Sequence, residues 1–275
     1  MAKKIYTVII YLLLGILAVS CMVPFLLMLV NATRSGNEIM SSFTLIPGDS
    51  LKENWDAVWS YFNLFLGMWN SLKVAIPATL LTSYFSALTA YALAVYKFKG
   101  KKVIFYTIVV FMMIPGQLSL IGFYNLVSSL RLTDSYIPLI IPAIAAPGTV
   151  FFLRQYLLSV LPMSLLEAAR IDGAKEISIF HKIVLPIMLP GIATMAIGGF
   201  IGNWNSYLVP LILLNSPKKF TLPVMVASLN ASQDIATNQG AIYLAVAISV
   251  IPVMIAFCFC SKYIISSISA GSVKE

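Results

Sequence analysis

Six long stretches of the chain contain no charged side chain and alternate with shorter polar segments. They cover residues 5–30, 74–96, 103–130, 135–153, 183–214 and 235–261. A helix needs about 20 consecutive apolar residues to cross a bilayer, and each stretch approaches or exceeds that length. The pattern therefore predicts an all-α polytopic membrane protein with six transmembrane helices.

Prolines interrupt several of these stretches. The stretch 183–214 is too long for one simple span and contains Pro186, Pro190 and Pro210. Since proline lacks a backbone N–H, part of this stretch is expected to bend or to lie outside the membrane. Breaks are also expected at Pro115 in the third stretch and at Pro147 in the fourth, where a gate hinge and ordinary helix packing remain alternatives.

The first stretch resembles a signal peptide in one respect, because Lys3 and Lys4 precede it and residues 18–21 faintly resemble a lipoprotein cleavage site. However, its apolar run continues for nine residues beyond Cys21, which is too long for the apolar core of a signal peptide. We therefore predict a retained membrane anchor.

Composition and charge agree with a membrane protein. Hydrophobic residues make up 60% of the chain and charged residues 10%, whereas soluble domains have roughly 25% charged residues. With the N-terminus inside, twelve of the 18 basic residues fall in cytoplasmic segments. This bias predicts that both termini are cytoplasmic, and it explains the net charge of +8 without a nucleic-acid partner.

Several kinds of chemistry have no matching pattern in the sequence. There is no phosphate-binding GxxxxGK[ST] loop, and the three cysteines lack metal-ligand spacing. The lone histidine, His181, is expected to be a surface residue. The spans contain no Asp or Glu, although proton-coupled transporters usually need such groups. We therefore expect no enzyme, metal or cofactor site in this chain, and any transport energy should come from another chain.

Two segments on the predicted outer side are long. Residues 31–73 carry Trp55, Trp59 and Trp69, which favour an aromatic anchor at the membrane interface over a binding role. Residues 215–240 are polar and rich in small side chains. That segment is either a connector or a contact for something outside the cell.

The segment between the fourth and fifth spans contains two predicted short helices. Ser164 and Glu167 match the S-x-x-E capping box, so the first helix should begin there. Glu167 is expected to pair with Arg170. Gly173 is able to adopt a positive φ and should end the helix. Leu165, Leu166, Ala169 and Ile171 would form its apolar side, and a second helix is predicted over residues 174–180.

This segment resembles the EAA loop of ABC-importer permeases. The resemblance rests on the run EAARIDGA at residues 167–174, followed by Phe180, Ile183, Leu185 and Pro186. In that family the loop is a coupling helix that docks on a cytoplasmic ATPase. The resemblance implies the type I ABC importer permease fold, with an N-terminal helix and outer loop at 1–68, a permease core at 69–262 containing a coupling loop at 161–182, and a C-terminal tail at 263–275.

Weaker motifs extend the resemblance to carbohydrate-uptake members of the family. They are Asn70-Ser71-Leu72, residues 90–94, residues 152–155, Asn203-Trp204-Asn205 with Tyr207 and Pro210, and a tail at 268–274 similar to that of maltose-transporter G-type subunits. The resemblance implies sugar import across a prokaryotic plasma membrane. It also implies a second related permease, two ATPase subunits that bind ATP and Mg, and an extracytoplasmic solute-binding protein.

Three groups of residues are expected to carry the function. Coupling to the ATPase is expected from Glu167, Ala168, Ala169, Asp172, Gly173 and Ala174, although helix capping and surface pairing would also explain the acidic ones. The substrate path is expected to include Asn203, Trp204, Asn205 and Tyr207, with interhelical packing as the alternative. Contact with the binding protein is expected at Asn230, Ser232 and Gln233.

Two other functions remain open at this point. A permease of the same superfamily that carries a non-sugar solute is the closer alternative. A self-sufficient secondary transporter or channel is the more distant one, because it predicts an intramembrane charge or an inverted repeat, and the sequence has neither.

Overall fold

The computed structural model describes the backbone of residues 2–231 and 235–272 and the side chains of residues 4–231 and 239–259. The described backbone forms fourteen α-helices. In chain order they are α1 Ala2–Asn31, α2 Gly36–Ser41, α3 Leu51–Tyr61, α4 Leu64–Val95, α5 Lys101–Met112, α6 Leu120–Ser129, α7 Ile137–Ile140, α8 Pro147–Val160, α9 Met163–Ile171, α10 Glu176–Ile179, α11 Leu185–Trp204, α12 Leu208–Leu213, α13 Leu222–Asn230 and α14 Ile235–Ser272. A π-helical turn, Phe180–Val184, joins α10 to α11.

The described residues contain five helical stretches long and apolar enough to cross a membrane, and a bent pair that makes six if it counts as one span. The five are Lys4–Asn31, Leu64–Val95, Ile137–Val160, Glu176–Trp204 and Gln239–Phe259. The bent pair is Lys101–Met112 with Gly116–Ser129, at an angle of 91°. The break falls at Pro115, whose extended backbone ends the helical run, as the sequence predicts.

The long fifth stretch is divided, also as predicted. Its helix ends at Trp204, and α12 begins at Leu208 after three intervening residues. The prolines at 186 and 190 are accommodated within α11 and do not end it. The interruption lies instead at residues 205–207, before Pro210.

The chain divides into two compact units. One comprises residues 1–68 and 222–252, and the other residues 69–221 and 253–275. In the first unit, the amide of Asn54 donates to the backbone oxygens of Ala32 and Arg34, both at 2.9 Å. Gly67 lies so close to Met225 that a Cβ at this position would be 2.7 Å from its sulfur. These contacts connect α3 and α13 with the rest of the unit.

The second unit has a buried apolar cluster that includes residues of α4, α8, α9 and α11. Its members are Ala87, Ala90, Tyr91, Val95, Leu153, Leu157, Leu166, Ala169, Ile179, Phe180, Val184 and Met188. Small side chains of α4 allow the bulkier leucine and phenylalanine side chains to pack closely. The segment predicted to couple to an ATPase is thus part of the core of this unit.

Asp134 connects two loops of the same unit. Its carboxylate accepts hydrogen bonds from the backbone of Asn215 and Ser216 and from the Ser216 hydroxyl, and it pairs with Lys219 at 2.9 Å. The Ser216 hydrogen bonds hold the pKa of Asp134 far below its usual value. Nearby, the buried amide of Asn70 donates to the backbone oxygens of Lys218 and Phe220.

Candidate functional site: the coupling loop and the fifth span

The helix of the coupling loop begins earlier than the sequence indicates. α9 starts at Met163 with Pro162 in the N-cap position, and no side chain caps it. The predicted capping box of Ser164 and Glu167 is therefore wrong, because Ser164 is already the second helical residue. Pro162 restricts its own φ to −70°, a value suited to the extended residue that precedes a helix.

The end of α9 agrees with the prediction for Gly173. Its φ is +78°, in the left-handed region that favours glycine. The N–H of Gly173 donates to the oxygen of Arg170, and the N–H of Ala174 to the oxygen of Ala169, both at 3.0 Å. These two bonds form a Schellman motif, which satisfies the last carbonyls of the helix and reverses the chain.

The apolar side chains of α9 point in two different directions. Leu166 and Ala169 belong to the buried cluster of the second unit. Leu165 and Ile171, predicted to lie on the same apolar side, are 41% and 86% exposed. Leu166 and Ala169 therefore anchor the helix, whereas Leu165 and Ile171 present apolar surface outside the chain.

The predicted coupling residues also separate into two groups. Glu167, Ala168, Asp172 and Gly173 are exposed, whereas Ala169 is buried and Ala174 is half-buried. Among the described residues, the Glu167 carboxylate has neither an ion pair nor a hydrogen bond. Together with Leu165 and Ile171, the four exposed residues form what we call the outer face of α9.

Arg170 pairs with Glu176 and not, as predicted, with Glu167. Its Nε lies 2.7 Å from Oε1 of Glu176, and its Nη2 lies 3.3 Å from Oε2. This two-point geometry, which matches the planar guanidinium to a carboxylate, explains the choice of partner. The hydrogen bond to Glu176 raises the pKa of Arg170.

Glu176 also accepts hydrogen bonds from two tyrosines near the end of α4. The Tyr96 hydroxyl donates to Oε2 at 2.5 Å and the Tyr91 hydroxyl at 3.2 Å. Sequence reasoning missed this cluster, because 80 residues separate Tyr96 from Glu176. The one available signal was that Tyr91, Tyr96 and Glu176 all lie near the predicted ends of membrane spans. The cluster connects the predicted coupling loop to the end of α4.

His181 lies in the π-helical turn directly after this cluster. Its Nδ1 is 2.8 Å from the oxygen of Ile177, and its Nε2 is 3.1 Å from the hydroxyl of Tyr84. The residue is exposed, as predicted, but it has partners on both ring nitrogens. It therefore contributes to holding the turn against α4.

The predicted path residues of the fifth span do not share one environment. Trp204 is 2% exposed and stacks on Phe200, with ring centroids 5.9 Å apart. The ring therefore packs inside the chain, as the helix-packing alternative expects. Asn205 and Tyr207 are exposed.

Asn203 occupies an intermediate position. Its amide donates to the oxygen of Gly199 at 2.9 Å, one turn earlier in α11. It also lines a cavity of about 260 Å³ with Ser206, Pro138, Ala143 and Phe123. Among the four predicted path residues, Asn203 is the one that reaches this mainly apolar cavity.

The predicted contact residues for a binding protein are described in part. Asn230 is exposed at the end of α13. Ser232 and Gln233 lie outside the described residues. The segment 215–240, predicted as a polar connector or contact, contains the partly buried helix α13, with Leu222, Val224, Met225 and Leu229 buried.

Comparisons with known proteins agree with the resemblance seen in the sequence. A family model described as "Binding-protein-dependent transport system inner membrane component" matches residues 83–269. The chain is 34% identical to the arabinooligosaccharides transport system permease protein AraQ of Bacillus subtilis, over 98% of this chain and 97% of that one. It is 32% identical to the sn-glycerol-3-phosphate transport system permease protein UgpE of Pectobacterium atrosepticum, over 88% and 87%.

A solved structure shares the fold. It is a crystal structure of a bacterial ABC transporter involved in the import of the acidic polysaccharide alginate. The match has a TM-score of 0.81 with 23% sequence identity, and it covers 96% of this chain and 98% of the other.

Proposed function

Because this chain belongs to the family of binding-protein-dependent transport system inner membrane components, we propose that it is the permease subunit that carries a sugar or oligosaccharide in an ABC importer. The proposal for the substrate is supported by the full-length similarity to an arabinooligosaccharide permease. An importer of this kind carries out no bond chemistry in the membrane subunit. The chain's task is to open a path on one side of the membrane at a time.

The outer face of α9 is the observation that carries the proposed mechanism. Ile171 is an apolar side chain with 86% of its surface exposed, on a loop that ends in a rigid Schellman turn. Exposed apolar surface of this kind is typical of a docking site. We infer that an ATPase subunit covers this face, with Glu167 and Asp172 at its polar edge.

The anchoring side chains support transmission of movement from that face. Leu166 is fully buried in the cluster that also contains Phe180, Val184 and Met188 of the fifth span. The Glu176 cluster adds a polar connection to α4. A displacement of α9 by the ATPase would therefore move both spans together, as a packed body and not as a loose loop.

The remaining partners follow from the proposed function. Two ATPase subunits would bind ATP and Mg, a second permease would complete the path, and a solute-binding protein would deliver the sugar. The basic residues support an orientation with both termini in the cytoplasm. Asn203 and Ser206, which line the 260 Å³ cavity, are the groups we propose to meet sugar hydroxyls.

Import of a non-sugar solute is the second candidate. It is favoured by the 32% identity to a permease for sn-glycerol-3-phosphate. A phosphorylated solute would require a cationic group along the path. In the cavity that Asn203 lines, no charged side chain is present among the described residues. This absence of charge favours a neutral sugar at that point.

The coupling proposal predicts the effect of Ile171→Asp. A buried charge in the ATPase groove should lower ATP hydrolysis stimulated by the loaded binding protein at least tenfold, which corresponds to about 1.4 kcal/mol. Phe98→Asp is the matched control, because Phe98 is an exposed apolar residue on a different loop, 41% exposed. Both complexes should be purified intact and assayed in liposomes.

A full coupled rate in the intact Ile171→Asp complex would contradict the coupling assignment. Equal losses in Ile171→Asp and Phe98→Asp would also contradict it, because the effect would then be general. Uptake of radiolabelled oligosaccharides and of sn-glycerol-3-phosphate by the wild-type complex with its solute-binding protein separates the two substrate classes.

A further inference from the structure

A pocket of about 390 Å³ lies at the end of α1, within the first unit. It is lined by Leu27 and Asn31 of α1, by Arg34, by residues 39–44 and by Tyr243 of α14. None of these residues belongs to the coupling loop or to the predicted sugar path. The function proposed above therefore leaves this pocket unexplained.

Arg34 is a buried cation in this pocket. Its side chain is 4% exposed. Nη1 donates to the side-chain oxygen of Asn31 at 3.2 Å, and Nη2 donates to the backbone oxygens of Glu38 and Ser42 and to the Ser42 hydroxyl. All of these acceptors are neutral, and no salt bridge to Arg34 is present among the described residues.

The carboxylate of Glu38 is part of another hydrogen-bonded motif. Glu38 accepts a hydrogen bond at 2.9 Å from the N–H of Ser35, as part of the capping box that begins α2. These hydrogen bonds with Ser35 lower the pKa of Glu38. The positive charge of Arg34 contributes to this lowering. However, no carboxylate forms a salt bridge with the guanidinium among the described residues, so Glu38 compensates the buried cation only at a distance. Burial of a cation without a direct ion pair is costly unless an anion binds beside it.

The backbone around Arg34 is held from several sides. Asn54 donates to its oxygen at 2.9 Å, and a Cβ on Gly240 would lie 2.2 Å from that same oxygen. A Cβ on Gly48 would lie 3.0 Å from Cγ of Arg34. Two glycines and an amide thus hold the backbone and the base of the Arg34 side chain in place before any ligand arrives, which lowers the entropic cost of binding.

The pocket lies at the depth of lipid headgroups. The span Lys4–Asn31 has 28 residues, about 42 Å of helix, which exceeds the hydrocarbon core of about 30 Å. Its last turn, with Leu27 and Asn31, therefore reaches the headgroup layer. Tyr243, four residues into the span Gln239–Phe259, is a residue type that favours the same layer.

The rim of the pocket is apolar. Met40 and Phe43 are 69% and 81% exposed. The adjoining flank of α1 is exposed as well, including Leu26 and Leu29. An aqueous anion would gain nothing from these side chains, whereas the acyl chains of a lipid would cover them.

We propose that this pocket binds an anionic phospholipid, with its phosphate on the Arg34 guanidinium and its acyl chains along α1 and Phe43. The phosphate oxygens would supply the direct ion pair that Arg34 lacks among the described residues, and arginine suits phosphate because its donors form a planar fork. An acidic side chain of a partner protein is the competing occupant. It is disfavoured because Leu27 and Tyr243 place the pocket within the ends of two spanning helices.

The test uses the intact transport complex in mild detergent and native mass spectrometry to count retained lipids. We expect Arg34→Gln to lose one phosphatidylglycerol per copy of this chain, with retention reduced at least fivefold. Lys52→Gln is the matched control, because Lys52 is an exposed cation on the same predicted loop. Phe43→Ser, which changes an exposed side chain, should weaken retention without affecting folding.

Added lipids identify the chemistry. Phosphatidylglycerol should rebind to the delipidated wild-type complex in preference to phosphatidylcholine, and inorganic phosphate should not displace it. The proposal is overturned if the Arg34→Gln and Phe43→Ser complexes retain as much lipid as the wild type. It is also overturned if inorganic phosphate displaces the lipid, or if Arg34→Gln abolishes association with a partner protein while lipid retention is unchanged.

Discussion

Among the residues that the structure describes, Glu176 is the carboxylate that joins the predicted coupling loop to the end of α4. It accepts hydrogen bonds from Arg170, Tyr91 and Tyr96, and so it holds the end of α9 beside the end of a spanning helix. Each partner is neutral or positive, so the negative charge is well compensated. We therefore expect this residue to influence how closely the loop follows the membrane helices.

Glu176→Gln should loosen the coupling loop without unfolding the protein. A neutral amide retains the shape of the side chain but cannot form the ion pair with Arg170. Both side chains of this ion pair are exposed. We expect a several-fold loss of transport per ATP hydrolysed, because the ATPase would move a less firmly attached α9. Transport and ATP hydrolysis should be measured on the same proteoliposomes, with Glu53→Gln, an exposed acid elsewhere, as the control.

If transport and ATP hydrolysis per intact complex are both unchanged in Glu176→Gln, the cluster is dispensable for coupling. A drop in both rates by the same factor would instead indicate fewer intact complexes.

Trp204 and Asn203 are neighbours in sequence, but replacing each by alanine is predicted to have a different effect. Trp204→Ala removes a buried ring, and a loss of about 3–5 kcal/mol in stability is expected for a cavity of that size. Asn203→Ala should leave stability within about 1 kcal/mol, since its hydrogen bond is internal to α11. It should change the relative uptake rates of different sugars, because its amide lines the cavity.

Thermal unfolding of the complex and uptake of several sugars separate these two effects. If Asn203→Ala lowers uptake of every sugar by the same factor and also lowers the melting temperature, its role is helix packing.

At the scale of elements, the turn between α9 and α10 depends on backbone conformation alone. A Cβ on Gly173 would meet nothing within 4 Å, so a substitution there is limited by its φ of +78° and not by a clash. Gly173→Val should cost about 1–2 kcal/mol in this conformation and reduce binding-protein-stimulated ATP hydrolysis about tenfold. Gly173→Asn is the matched variant, because asparagine tolerates the left-handed region.

The comparison of the two variants contains its own control, since both add a side chain at an exposed position. Equal activity of Gly173→Val and Gly173→Asn would mean that the positive φ is not required for coupling.

The elements themselves were largely predictable from the sequence, and their ends were not. Uncharged runs and prolines predicted six spans and the break at Pro115, because burial of apolar surface and the loss of an N–H act locally. The S-x-x-E pattern occurs four times, beginning at Ser35, Ser50, Ser164 and Ser272. It forms a capping box at Ser35 and Glu38 but not at Ser164 and Glu167. The difference is that Pro162 already occupies the N-cap of α9.

Sequence patterns did not predict which residues pair when they lie far apart in the chain. The i,i+3 rule assigned Arg170 to Glu167, yet Arg170 pairs with Glu176 because the Schellman turn brings the second helix back beside the first. Likewise, the sequence at Trp204 is the same whether the ring is exposed and binds a sugar or is buried and packs inside the chain. Only the packing of Phe200 against it decides between them.

At the scale of the whole molecule, the bias in basic residues predicts the orientation across the membrane. In a variant lacking Cys21, Cys258 and Cys260, a cysteine at position 175 should react with a membrane-impermeant thiol reagent from the cytoplasmic side alone. A cysteine at position 52 should react from the outside alone. Lys175 and Lys52 are both exposed, so access depends on the side of the membrane and not on burial.

Labelling should be carried out on spheroplasts and on inverted vesicles in parallel. Reaction of position 175 from outside would reverse the orientation and separate α9 from any cytoplasmic ATPase.

The π-helical turn at Phe180–Val184 sets the rotational phase between the coupling loop and the fifth span. Its wider hydrogen-bond spacing accommodates one residue more than an α-helical turn. Since each residue of an α-helix advances the chain by about 100°, that extra residue turns everything before it by about a quarter of a revolution. Deletion of one residue here would leave every contact-forming side chain present but would point α9 away from the core that contains Val184 and Met188. Length is consequently as strict a constraint in this turn as residue identity is at Gly173, and single-residue gaps that a surface loop would tolerate should be absent from functional variants of this segment.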